Sequence, residues 1–373
     1  MGPLHGFRIV EIAGIGPTQF CGMLLADMGA RIIRIDRPHD ADPGIAMPAK
    51  FNLTNRSRPT ITVDLKSEEG VKLVLRLCDD ADALFEGFRP GVMERLGLGP
   101  DECMARNERL VYGRMTGWGQ DGPLADSVGH DANYVALAGA LGSIGRRDRS
   151  PPLPLNLIGD LGGGALYLAV GLLAAMLEAG HSGKGQVVDA AMVDGVASMM
   201  TMYFGLLAGK QWIDKRQSNL LDGGAPFART YATSDGKYVA VCALEQRFYL
   251  ALLDGLGITD IDPADQYDVT RWDEHKSIFM TAFASKTRDE WCELLEGTEA
   301  CVTPVLKMSE APEHPHNMAR NNFVTVDGIE QPAPAPRFSR TQSEIQHAPA
   351  ERDARQVLQE WGMNESDLRK LNI

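Results

Sequence analysis

Three short segments carry side chains able to move a proton. In Gly129-His130-Asp131-Ala132-Asn133-Tyr134, a histidine stands directly ahead of a short helical pattern and follows the glycine-rich loop 117–123. Loops on a rigid scaffold often carry catalysis. Residues 155–160 end in a carboxylate, Asp160, at the start of a glycine-rich apolar helix. Such a start offers free amides and a positive dipole end, suited to an oxyanion forming beside the carboxylate. Glu245 sits where a strand gives way to a helix. Imidazole and carboxylate are the usual partners in general acid–base transfer. Each residue also has a plainer reading: His130 as a packing or capping residue, Asp160 as a helix N-cap, Glu245 as a helix-start glutamate.

The elements that must position these groups read as α/β. Residues 7–13 form a strand that breaks at Gly14-Ile15-Gly16-Pro17, with Pro17 placed to open a helix running to about Gly29. Residues 31–36 form the next strand, closing a right-handed βαβ unit and implying a parallel sheet. The pattern recurs with a strand at 60–64, Ser67 as N-cap of a helix to Cys78, and strands at 83–87 and 110–112. After about residue 225 the style changes to a hairpin turning at Asp235-Gly236, then helices at 245–255 and 288–295 and a strand at 302–306, an α+β domain. A proline-rich linker at 331–337 and a helix at 353–361 follow. The expected division is a large domain over 1–190, linker helices over 191–224, a small domain over 225–325, and a final segment over 326–373.

With 373 residues, 44% hydrophobic and 23% charged, the chain can bury a sizeable core. A net charge of −13, spread along the sequence, argues against nucleic acid or anionic membranes as partners. No leader pattern opens the chain and no apolar run reaches the ~20 residues of a membrane span. The six cysteines lack CxxC spacing, which suits free thiols in a reducing cytoplasm. Leu371-Asn372-Ile373 lacks the usual peroxisomal tripeptide, so a cytoplasmic location is the expectation. Gly14-x-Gly16 with Asp36 ending the second strand approaches a dinucleotide fingerprint, but Gln19 replaces the third glycine and Pro17 removes an amide. The fold is therefore read as Rossmann-like and nicotinamide binding is discounted.

Taken together, the segments resemble the alpha-methylacyl-CoA racemase family within the family III CoA-transferase (CaiB/BaiF) superfamily, almost end to end. The matching stretches include Leu25-Ala26-Asp27-Met28-Gly29-Ala30, Phe88-Arg89-Pro90-Gly91-Val92, Gly129-His130-Asp131, Ser182-Gly183-Lys184-Gly185-Gln186, Met192-Val193-Asp194-Gly195 and Leu221-Asp222-Gly223-Gly224-Ala225-Pro226. The resemblance implies that N- and C-terminal segments together form the large CoA-binding domain. It implies that His130 and Asp160 are opposing acid/base groups and that Glu245 orients His130. It points to Arg37, Val63, Asp64, Leu65, Lys66, Gly87 and Arg89 for CoA, with Gly129, Asp131, Ala132, Asn133 and Tyr134 near the thioester. The implied reaction is 1,1-proton transfer on a 2-methylacyl-CoA through an enolate, with no cofactor beyond the substrate's CoA and no metal. The implied assembly is an interlocked homodimer with active sites between subunits, Glu245 coming from the other chain. In the transferase branch the aspartate matching Asp160 is a nucleophile, so CoA transfer is the first alternative. A noncatalytic acyl-CoA-binding protein is the second. Ala132 and Gln246-Arg247 depart from the family's common residues, which bears on acyl preference.

Overall fold

The computed structural model describes residues 2–38, 47–346 and 353–370, so the C-terminal tripeptide lies outside the described residues. In chain order the elements begin β1 (Arg8–Ile12), α1 (Pro17–Asp27), β2 (Arg31–Asp36), β3 (Thr60–Thr62), α2 (Glu68–Cys78), β4 (Ala83–Glu86), α3 (Val92–Arg95) and α4 (Pro100–Arg106). They continue through β5 (Val111–Thr116), α5 (Asp131–Leu137), α6 (Ala140–Ser143), α7 (Tyr167–Ser182), β6 (Val187–Ala191), α8 (Met192–Met199) and α9 (Thr201–Ala208). Then come β7 (Ala228–Ala232), β8 (Tyr238–Cys242), α10 (Gln246–Leu256), α11 (Trp272–Phe283), α12 (Arg288–Leu295) and β9 (Val302–Pro304). The last are α13 (Pro315–Ala319), β10 (Phe323–Val326), β11 (Ile329–Pro332), α14 (Ala354–Trp361) and α15 (Glu365–Lys370).

Two compact units result, one from the described parts of 1–138, 154–199 and 321–373, the other from 139–153 and 200–320. The helices expected to link the domains divide between them, α8 in the first unit and α9 in the second. Residues 139–153 join the second because Arg216 donates to the carbonyls of Gly142, Arg146 and Arg149 at 3.1–3.3 Å.

The first unit is built on a six-stranded parallel sheet in the order β3-β2-β1-β4-β5-β6. Both faces are covered, so the four inner strands β2, β1, β4 and β5 are buried over most of their length, with Ile9, Val10, Ile33 and Phe85 within 1% of full burial. The order reverses between β1 and β4; crossovers leave toward opposite faces there, opening a crevice at the strands' C-terminal ends. Beneath it, Glu11 on β1 is fully buried with Arg58, Nε to Oε2 3.0 Å, and Arg34 stands 3.6 Å away. Gly22 of α1 leaves room for this pair, since a Cβ there would lie 2.4 Å from Glu11 Oε2. Desolvation raises the Glu11 carboxyl above its ordinary range while Arg58 and Arg34 pull it back.

The C-terminal segment returns to this unit. Glu344 and Gln346 donate to the carbonyls of Asp27 and Ala26. Beyond them α14 inserts Val357, Leu358 and Trp361 into the core beside Leu73, Leu77 and Leu84. Its last turn is held by Arg8, which donates to the Trp361 carbonyl at 2.9 Å.

Residues Leu157–Leu166 wind as a π-helix and run directly into α7, giving a 26-residue helix over Leu157–Ser182. By length and composition alone this helix passes for a membrane span. Its apolar inner face has another explanation in the fold: Leu168, Leu172, Ala175 and Met176 pack in the core with Phe85 and Val111. Gly113 of β5 admits this contact, since a Cβ there would meet Leu168 and Leu172 at about 3 Å.

In the second unit β7, β8 and β9 form an antiparallel sheet, with Gly236 at φ +73° in the expected turn. Phe227 and Tyr231 fill its core against Phe279 and Phe283 of α11. The linker expected at 331–337 begins instead as β11, paired with β10 in a separate hairpin. All six cysteines are free; Cys21, Cys78 and Cys103 are buried, whereas Cys242 is exposed.

Candidate active site

The crevice at the strand reversal holds a cavity of about 550 Å³ within the first unit. The ends of β1, β4 and β5 supply its floor through Ile15–Thr18, Gly87–Pro90 and Met115–Trp118, and residues 127–130 supply a wall. Arg37, Gly87, Arg89, Gly129, His130, Tyr134 and Asp160 all border it. The structure thus gathers seven of the expected residues. Arg37 and Arg89 are exposed, and each follows a strand, where a guanidinium can meet a phosphate.

His130 occupies the N-cap position of α5 in extended backbone, φ −135° and ψ 173°. Asn133 Oδ1 accepts its N–H at 3.0 Å and the Asn133 N–H returns to its carbonyl at 2.8 Å. The imidazole is exposed toward the cavity rather than packed in the core. Behind it, Tyr134 meets Trp118 edge to face with ring centroids 4.7 Å apart. That close approach depends on Gly117 and Gly129, where a Cβ would stand 2.1 and 2.8 Å from the Tyr134 ring.

Asp160 is not the N-cap of its helix. The wide π turns begin earlier, at Leu157, with Asn156 at the cap position, so Asp160 lies inside the first turn. Asn156 Nδ2 donates to Asp160 Oδ2 at 3.0 Å, and Gly16 lets that oxygen approach α1, a Cβ there being 3.0 Å away. The Asp160 amide is also not free for an oxyanion, because it donates to Asp131 Oδ1 at 2.7 Å. Burial lifts the Asp160 carboxyl above the usual carboxylate range; Asn156 opposes the shift, Asp131 adds to it and His130 opposes it. Tyr134 is held neutral, its hydroxyl pushed up to about 12 by burial and by the neighbouring carboxylates.

Other expected residues stand elsewhere. Val63 is buried in the core and Leu65 packs against it. Asp64 and Lys66 close the turn into α2, the Lys66 N–H donating to Asp64 Oδ1 at 3.0 Å. None of residues 63–66 borders the cavity, and neither do Asp131, Ala132 and Asn133. Glu245, in the second unit, is exposed at the N-cap position of α10, and its side chain makes no capping bond. The backbone just before it is clamped: the Leu244 carbonyl accepts from Gln266 Nε2 at 2.7 Å and from the Tyr267 hydroxyl.

Sequence reasoning missed Thr18 and Trp118. Both border the cavity, and Thr18 Oγ1 and Trp118 Nε1 are buried without a hydrogen-bond partner. An aromatic inside the glycine loop 117–123 was the available signal for the second. Among the described residues, no three His, Cys, Asp or Glu side chains gather as a metal site requires.

Residues 4–354 match CoA-transferase family III. The chain is 42% identical to mouse (Mus musculus) alpha-methylacyl-CoA racemase, covering 99% of this chain and 96% of that protein. It is 40% identical to the human (Homo sapiens) alpha-methylacyl-CoA racemase with the same coverage. Among solved structures it is similar to Rv3272 of Mycobacterium tuberculosis, with a TM-score of 0.78 and 26% identity over 92% of this chain and 95% of that one.

Proposed function

The chain belongs to CoA-transferase family III, and from that premise we propose that it is an acyl-CoA racemase interconverting (R)- and (S)-2-methylacyl-CoA thioesters. The observation that carries this reading is that His130 and a protonation-prone Asp160 border one cavity whose rim carries Arg37 and Arg89. A racemase needs a base on one side of Cα and an acid on the other. In one direction His130 takes the α-proton and Asp160 returns one to the opposite face; in the other, ionised Asp160 takes it and the imidazolium returns it. An enolate links the two halves. Arg37 and Arg89 hold the phosphates of CoA, which belongs to the substrate, and no further cofactor or metal takes part.

Glu245, clamped at its backbone and uncommitted at its side chain, orients His130 and stabilises the imidazolium. It does so from the other chain of an interlocked homodimer, as Glu245 of the partner subunit. Exposed apolar side chains support such an assembly: Leu166, Val170 and Leu177 in one unit, Met202 and Phe204 in the other. Cytoplasmic residence fits the free thiols.

Incubating one epimer of a 2-methylacyl-CoA in deuterated water tests the reading. Epimerisation with deuterium at Cα is expected; retention of both configuration and protium overturns it. Asp160 at the cavity also favours one second reading, CoA transfer through an acyl-Asp160 anhydride. A second carboxylic acid would then become a new thioester while Cα kept its proton.

A further inference from the structure

We propose that Asp131 is a positioning residue that ties the two acid/base groups together, following His130 directly in the chain and holding Asp160 through one hydrogen bond. This rests on the acid/base reading given above. Asp131 Oδ1 accepts the Asp160 N–H at 2.7 Å, and its side chain is buried, the residue being 7% exposed. The carboxylate lies flat on the π-helical backbone because residue 159 is glycine: a Cβ there would stand 2.5 Å from Asp131 Oδ1 and 3.0 Å from its carbonyl oxygen. The other side of the tie is rigid too, since Asn133 and His130 exchange hydrogen bonds at the start of α5. A proton transfer with two opposed bases tolerates little error in their separation, and here a single side chain spans it.

Asp131 also places a charge beside Asp160. The groups around Asp160 are Asp131, His130, the Asn156 amide and the neutral Tyr134 hydroxyl; Gly16 with Pro17 and Thr18 of α1, and Met192 of α8, also border the cavity. Among these the Asp131 carboxylate is what favours the protonated form after burial itself, and His130 and Asn156 work against it. The working pair shares one proton, so the acid limb of its pH profile marks uptake of a second. Removing the Asp131 charge makes Asp160 more acidic and moves that limb to lower pH.

The test measures α-proton exchange and epimerisation for the wild-type protein, D131A and D131N. D131A is expected to lose about a hundredfold in kcat with KM little changed, because the tie is gone. D131N keeps an acceptor for the Asp160 amide; it should recover about tenfold of that loss, while its acid limb in kcat/KM moves down by about half a pH unit. Wild-type turnover in D131A, or a wild-type acid limb in D131N, overturns the proposal. If D131A does not fold, the D131N profile decides. A wild-type protein that leaves Cα–H untouched removes the racemase reading itself, an outcome distinct from active wild type with unaltered variants.

Discussion

The carbonyl oxygen of Gly163, in the π-helical stretch, lies 1.9 Å from where a Cβ would stand on Gly195 of α8. The two backbones touch, and this contact seats the stretch that carries Asp160. Gly195→Ala should therefore cost about 2 kcal/mol or more through forced separation. Gly180→Ala on α7, where nothing lies within 4 Å, should instead stabilise by about 0.5–1 kcal/mol. Urea denaturation of the two variants checks both signs.

His130 and Asp160 serve opposite faces of the substrate in the proposed reaction, so their loss should be asymmetric. Asp160→Asn should lower epimerisation by at least about a hundredfold, yet leave His130 able to wash the α-proton out of one epimer. His130→Gln should show the mirror image. Proton NMR of each epimer in deuterated buffer separates the half-reactions, and equal loss of exchange from both epimers in both variants would count against two opposed bases.

Glu86 ends β4 immediately before the cavity-lining residues 87–90, and its carboxylate accepts the Phe88 N–H at 2.6 Å. Burial pushes its carboxyl up to about 7, with Phe88 and Arg114 opposing. Above that value the charged form holds the loop; below it, the proton weakens the bond to Phe88. KM for acyl-CoA should rise as pH falls through about 7. In Glu86→Gln it should be high throughout and insensitive to pH in that range. A KM profile of the two proteins decides.

Asp27, at the end of α1, accepts from Arg56 Nε and Nη2 at 3.1 and 2.6 Å and from Ser57 Oγ at 3.0 Å. Arg56 reaches on to Gln331 and the Pro332 carbonyl, so one carboxylate anchors both the 56–58 loop and the returning C-terminal segment. Asp27→Ala leaves a nearly buried guanidinium without its partner and should cost about 3 kcal/mol or more. Chemical denaturation measures the loss, and a change below about 1 kcal/mol would show the pair to be dispensable.

Legibility in the sequence followed the physics of each element. Strands β1, β2 and β4, the Ser67 cap and the Gly236 turn carry local signals, and the structure places them within a residue or two of their reading. β6 carries little such signal, being a half-covered edge strand fixed by its pairing with β5. The π-helical register at Leu157–Leu166 was also hidden, because its apolar run reads as ordinary helix, and the groups it packs against, α8 and Asp131, lie far from it in the chain. For the same reason the plainer reading of Asp160 made it the N-cap, a place the structure gives to Asn156. Arg37, Lys66 and Arg89 all follow strands in the sequence; the first and last border the cavity, whereas residues 63–66 turn into α2 and the core.

The return of α14 bears on the order in which a nascent chain can fold. Val357, Leu358, Trp361, Met363 and Leu368 complete a core whose other members lie before residue 113, so the parallel sheet emerges from the ribosome well before its last helices exist. The antiparallel sheet of the second unit needs nothing beyond residue 320. The inserted unit can therefore settle while the sheet that precedes it in the chain, covered on that face by α2 and α4, still waits for the rest of its cover, reversing the usual N-terminal-first sequence of folding.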